Sequence, residues 1–205
     1  MTFSEIAIKV LDAESKSIEE RTCPDQYVGI IGGFDQLSKD FPERKNVSSR
    51  PDDIPCLIMI LESPHTDEFI GEVGPAKGTT GRLIRSHIQE MDCFSQFQDH
   101  GLILMNAIQY QCSLGYATEC FRDRIFKTVW SDNGRSLFIK RLESYFRVGD
   151  VVANCCTRGY TTRRNEELRV HVQTAIFEAL PHLDPMRRTH PSCWYSPKNR
   201  KAEWK

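Results

Sequence analysis

Glu62-Ser63-Pro64-His65, Asn106 and His190-Pro191-Ser192 are the residues of this chain best suited to chemistry, because each cluster directly follows a short hydrophobic or extended stretch. A carboxylate, a planar amide and an imidazole brought together offer an anionic acceptor, a paired donor and acceptor, and a titratable ring. Such a set can stabilise a developing cation, read a polar edge and meet a developing anion. Asp67 and Glu68 are reserve carboxylates beside Glu62. Singly these residues are ordinary: a glutamate caps a turn, an asparagine ends a strand in a turn, and a histidine before proline sits in an extended loop. Their recurrence at three stretch ends makes them a set.

The stretches themselves predict the scaffold. Residues 57–61 form a continuous apolar run, as expected of a strand buried on both faces. Residues 102–105 give a second strand, residues 150–156 a third centred on Val151-Val152-Ala153, and residues 186–189 a short fourth. Helical patterning falls between them, over 80–90, 118–130, 137–146 and 165–180, and strands alternating with helices argue for a parallel sheet covered on both faces. The expected fold is α/β: three layers, α/β/α, around a short, mostly parallel four-stranded sheet. In such a sheet ligands bind outside the carboxyl ends of the strands, so the three clusters converge on one pocket.

Ahead of this core, residues 1–11 and 15–21 read as helix. Residues 22–55 carry Pro24, Gly29, Gly32, Gly33, Pro42, Pro51 and Pro55 and read as a long irregular connection reaching over the site. One domain, 1–205, is therefore expected, with a helical and irregular extension over 1–55 and a motif-bearing core over 56–197. The net charge of −1 gives no global basic field, which leaves room for a local basic face. No apolar run of about 18 residues and no signal-peptide core stand out, so a cytoplasmic monomer is expected. The eight cysteines form no Cys-x-x-Cys pair, and Cys155-Cys156 lie in an apolar run. Adjacent residues of a strand point to opposite faces, so these two read as buried thiols.

The motifs together resemble the uracil-DNA glycosylase superfamily, most nearly its family four. Leu104-Met105-Asn106-Ala107-Ile108 is similar to that family's Leu-Leu-Asn-Ala-Val, and Glu62-Ser63-Pro64-His65-Thr66-Asp67-Glu68 to Gly-Glu-Ala-Pro-Gly-Ala-Asp-Glu without its leading glycine. Gly74-Pro75-Ala76-Lys77-Gly78 and Gly81-Arg82-Leu83 follow in the family's order, and Thr189-His190-Pro191-Ser192 resembles its closing His-Pro-Ser. The resemblance spans about residues 56–197.

It implies a protein that flips a uracil or other modified base from single- or double-stranded DNA and hydrolyses its N-glycosidic bond without a cofactor. Glu62, with Asp67 in reserve, would act beneath the sugar, and His190 would donate to the leaving base as a neutral imidazole. Asn106 would read the base, with Ser63, His65 and Ala76 around it. Ser192, Trp194, Arg158, Arg163, Arg164 and Arg188 would meet the DNA, Trp194 and Tyr195 standing where the family inserts a wedge.

Three positions depart from the pattern: Leu61 and His65 stand where glycines are usual, and Ala76 replaces the phenylalanine that stacks on the flipped base. Stacking contributes about 1 to 3 kcal/mol per base, so its loss weakens capture unless Phe69 or another ring substitutes. The family four iron-sulfur cluster is not expected, because Cys23 lacks a near partner, although Cys112 and Cys120 lie in the later cysteine region. Other classes stay open: a non-catalytic base-binding protein, a cation site of Glu62, His65, Asp67 and Glu68, or a Ser63 or Cys193 nucleophile with His190.

Overall fold

All twelve residues of two strands, Cys56–Leu61 and Gly101–Asn106, are buried, which requires cover on both faces of the sheet. In the computed structural model, which describes residues 1–11, 19–113, 121–159 and 167–204, helices supply that cover. The order is α1 (Phe3–Leu11), β1 (Gln26–Ile30), β2 (Lys45–Asn46), β3 (Cys56–Leu61), α2 (Thr79–His87), β4 (Gly101–Asn106), α3 (Phe121–Val129), α4 (Arg135–Tyr145), β5 (Val151–Asn154), α5 (Leu168–Ala179), β6 (Met186–Arg187) and α6 (Pro197–Lys201). Alternation along the strands sends Ile58, Ile60, Ile103 and Met105 into a core with α1, α3, α4 and α5. Leu57, Met59, Leu102 and Leu104 enter a second core with Leu83 and Ile84 of α2.

The α/β class stands, but the sheet is mixed and has six strands, in the order β2-β1-β4-β3-β5-β6. The four strands expected from the sequence are present and parallel, pairing β4 with β3, β3 with β5 and β5 with β6. The addition is an antiparallel edge, β1 on β4 and β2 on β1. It lies within residues 22–55, expected to be irregular. Gly29, at φ +107°, and a register shift between Tyr27 and Ile30 interrupt the pattern that would have revealed a strand.

Pairing register brings the parallel strands to a common end, with Leu61 opposite Asn106, Ile60 opposite Asn154 and Asn154 opposite Arg187. At the other end Asp150 ties β5 to β3. Its carboxylate accepts from the Cys56 N–H, the Arg147 N–H and Arg50 Nη1, each at 2.8 Å. Both side chains of the Arg50–Asp150 pair are almost fully buried. The expected helix over 80–90 is α2 followed by a 3-10 turn at Ile88–Glu90, while α3 and α4 run together through a π-helical turn at Trp130–Gly134. Of the helix expected over 15–21, residues 15–18 lie outside the described residues, and Arg21 is not helical. No helix among the described residues is long and apolar enough to cross a membrane.

Candidate functional site

A pocket of about 310 Å³ opens at the carboxyl ends of the four parallel strands. Glu62 follows β3 directly, Asn106 ends β4, and Thr157 and His190 lie three residues beyond β5 and β6. Ser63, His65, Asp67 and Ser192 also line the pocket, so seven of the expected site residues meet there.

Glu62 is buried on the floor of the pocket. Arg122 Nε lies 3.0 Å from Glu62 Oε1, while the Thr157 hydroxyl donates to Oε2 and Ser63 Oγ stands 3.5 Å from Oε1. Burial raises its carboxyl to about 7, with the Arg122 charge opposing the rise. The group is therefore poised to exchange a proton near neutrality.

Asn106 has its backbone fixed at both ends. Its N–H donates to Asp25 Oδ1 at 3.2 Å, and its carbonyl accepts from Arg141 Nη2 at 3.0 Å. Arg141, from α4, also pairs with Asp25, the residue just before β1, closing a ring of contacts. The side-chain Nδ2 donates to Glu68 Oε2 at 3.3 Å, while Oδ1 is buried with no hydrogen-bond partner. An unpaired buried acceptor costs about 1 to 3 kcal/mol. A ligand N–H in the pocket would recover that energy.

His190 caps the 3-10 turn Pro191–Cys193 through its own ring. Nδ1 accepts from the Ser192 N–H at 3.2 Å, with Ser192 Oγ at 2.8 Å. Because Nδ1 receives a backbone donor, the proton of the neutral ring sits on Nε2. Burial, aided by the Arg122 charge, lowers the imidazole to about 4, so the ring is neutral at pH 7. Nε2–H is then a fixed, uncharged donor on the pocket wall.

The remaining expected residues fall elsewhere. Ala76 is fully buried and outside the lining; it adopts φ 55° and its backbone N–H donates to Glu68. Gly81 permits this, because a Cβ there would lie 1.7 Å from the Ala76 carbonyl oxygen. Trp194 belongs to the core rather than to a DNA-facing surface: it is 0% exposed, its ring centroid is 5.9 Å from that of Phe94, and Nε1 donates to the Thr189 carbonyl. Its neighbour Tyr195 is the exposed ring, at 71%. Arg158 is paired with Glu167 at 2.6 Å, and Arg188 lines a separate hollow with Cys93, Arg200 and Lys201. Arg163, Arg164 and Cys120 lie outside the described residues. Phe69 does not line the pocket and instead lies beneath the Arg21 guanidinium.

Asp67 remains largely solvated beside the His65 ring, and Glu68 is the second buried carboxylate. The reason is local: the 3-10 turn Thr66–Phe69 directs neighbouring side chains differently and turns Glu68 toward Asn106. Burial raises Glu68 to about 7, against hydrogen bonds from Ala76, Asn106, Cys23 and His65. Thr157, Arg122, Asp25 and Arg141 also serve the site and were not expected from the sequence. Thr157 follows a predicted strand and the strand-end rule could have found it; the other three meet the site through contacts 35 or more residues away in sequence. Among the described residues no group of three or more His, Cys, Asp or Glu is arranged to hold a metal ion.

The arrangement can accept an N–H at Asn106, donate to an oxygen from His190 and present a carboxylate to a cationic centre. No family model, curated protein or solved structure matches the chain.

Proposed function

We propose that this protein is DNA glycosylase-like: it flips a uracil or another modified base into the pocket and hydrolyses the N-glycosidic bond, acting as a monomer on single- or double-stranded DNA. The observation carrying the reading is the buried Asn106 Oδ1, an unpaired acceptor in a pocket that also holds a neutral imidazole donor and a buried carboxylate. The resemblance of the Glu62, Asn106 and His190 motifs supports the same assignment.

In the reaction the bond between the base nitrogen and C1′ breaks and its electron pair leaves with the base. Positive charge grows on the sugar and negative charge on the base. His190 Nε2–H stabilises the base oxygen without surrendering its proton. Ionised Glu62 lies opposite the developing cation, and a water oxygen then bonds to C1′, releasing a proton to the carboxylate or to solvent. Asn106 Oδ1 accepts from the ring N–H of the base, and its second amide hydrogen meets the adjacent carbonyl.

Two observations favour a second reading, a base-binding protein that does not cleave. Glu62 is engaged by both Arg122 and Thr157, and no Phe, Tyr or Trp is among the pocket-lining residues described. Oligonucleotides carrying uracil, hypoxanthine or other altered bases, in single and double strands, distinguish the two. Alkali-labile sites formed by the wild type support the enzyme; binding without such sites supports the second reading; neither binding nor cleavage refutes both.

A further inference from the structure

We propose that Arg122 is a positioning residue of the pocket: its guanidinium, shared between Glu62 and Asp123, keeps Glu62 a carboxylate while His190 stays an uncharged imidazole. This rests on the reading of the pocket as a glycosylase site.

Base release asks different things of two buried groups. Glu62 must be charged to meet the cation growing on the sugar, and His190 must be uncharged to serve as a neutral Nε2–H donor. Burial by itself favours the uncharged form of both. A negative neighbour would favour a carboxylic acid and an imidazolium, the reverse of what is needed. Only a positive neighbour favours both required forms.

Arg122 is that neighbour. It is the second residue of α3 and lines the pocket together with Glu62 and His190. Its Nε lies 3.0 Å from Glu62 Oε1 and donates to Asp123 Oδ1 at 2.9 Å, and its Nη2 stands 2.7 Å from the same Asp123 oxygen. A cation in the first turn of a helix opposes the macrodipole, so the two carboxylates, and not the helix, hold it there. The Glu62 and Asp123 side chains are only 4% and 6% exposed, and charges so buried are poorly screened. The Arg122 charge opposes the rise of the Glu62 carboxyl and deepens the fall of the His190 ring.

Asp123 acts against Arg122 at Glu62, yet it serves the sugar. With both carboxylates ionised the trio keeps one net negative charge to face a developing cation. Cys112 and Cys156, the thiols that feel the Glu62 charge, are pushed up by burial and stay uncharged. The other titratable groups lining the pocket are His65, Asp67 and Glu68, of which Glu68 engages Asn106.

The test is the pH dependence of uracil release from a single-stranded oligonucleotide between about pH 5 and 9, measured for wild type, Arg122→Gln, Arg122→Lys and Asp123→Asn. The Glu62 carboxyl is also titrated by NMR in each protein without ligand. In the wild type, release is expected to rise with pH as Glu62 ionises through about 7. For R122Q the midpoint is expected about one pH unit higher, lowering release about 5-fold at pH 7 and restoring it by about pH 9. R122K keeps the charge and is expected to keep the wild-type midpoint. D123N removes the opposing anion and is expected to move the midpoint down. A merely structural Arg122 would lower release by the same factor at every pH. That result in folded R122Q, or an R122K midpoint that moves with R122Q, overturns the proposal; should R122Q fail to fold, an unmoved midpoint in D123N does so. A wild type that releases no base overturns the glycosylase reading. The ligand-free titrations then judge Arg122 alone: an unmoved Glu62 in R122Q overturns its role, and an upward move upholds it.

Discussion

Glu62→Gln should abolish an unusual pH dependence of stability. Burial holds the folded Glu62 and Glu68 carboxyls at about 7, against an ordinary 4.5. A raised folded pKa means that the native state binds the proton more tightly, so the contribution to stability is present at low pH and is lost as pH rises through 7. Between pH 7 and 5 each folded carboxyl takes up a proton that its unfolded counterpart does not, stabilising the fold by about 2 kcal/mol per group. His190 acts oppositely. Its folded ring stays neutral down to about 4 while the unfolded ring protonates near 6.5, removing about 2 kcal/mol over the same interval.

The pocket therefore makes the wild type about 2 kcal/mol more stable at pH 5 than at pH 7. Asp25, raised by burial, adds to this gain; His87, lowered by burial and by Arg200, subtracts from it. Asp40 and Glu167, where burial is outweighed by neighbouring arginines, act at more acid pH. Urea unfolding of wild type and Glu62→Gln at both pH values isolates the Glu62 contribution. The variant is expected to lose about 2 kcal/mol of the pH 7-to-5 change, leaving stability nearly flat. Equal pH dependence in the two proteins would mean that Glu62 does not titrate in this interval and that its burial does not raise its carboxyl.

Away from the pocket, Asp150→Ala removes the acceptor of three hydrogen bonds and strands the buried Arg50 charge. A loss of about 3 to 5 kcal/mol is expected by urea denaturation, and a change under 1 kcal/mol would contradict the assigned tie between β3 and β5. Trp194→Ala empties a core position and removes the bond to Thr189; about 3 to 5 kcal/mol should be lost, with His190 amide resonances displaced. Gly81→Ala drives a Cβ into the Ala76 carbonyl and should lower the melting temperature more than Gly33→Ala, where a Cβ meets nothing within 4 Å.

Legibility in the sequence followed the range of the interactions. The apolar runs of β3 and β4 were visible because burial on both faces removes polar alternation, and the clusters at their ends followed from sheet geometry. β1 was hidden by Gly29 and by the prolines around it. The choice between Asp67 and Glu68 rests on one step around a 3-10 turn, and that between Trp194 and Tyr195 on the step that leaves one. Composition distinguishes neither pair. Arg122 and Arg141 reach Glu62 and Asn106 from helices distant in sequence, where no local pattern assigns a partner. The neutral state of His190 depends on tertiary burial and on a backbone donor two residues away. The histidine and its role as a neutral donor were legible; the burial and the backbone donor that secure them were not.

The proposed function requires that the pocket receive a base. A crystal structure of the protein with a single-stranded oligonucleotide containing a non-hydrolysable C-nucleoside analogue of deoxyuridine tests it most directly. The base is expected extruded into the pocket at the ends of β3, β4, β5 and β6, with a ring N–H on Asn106 Oδ1 and a carbonyl oxygen on His190 Nε2. An empty pocket with the strand bound elsewhere, or a base whose N–H groups bypass Asn106, would contradict it.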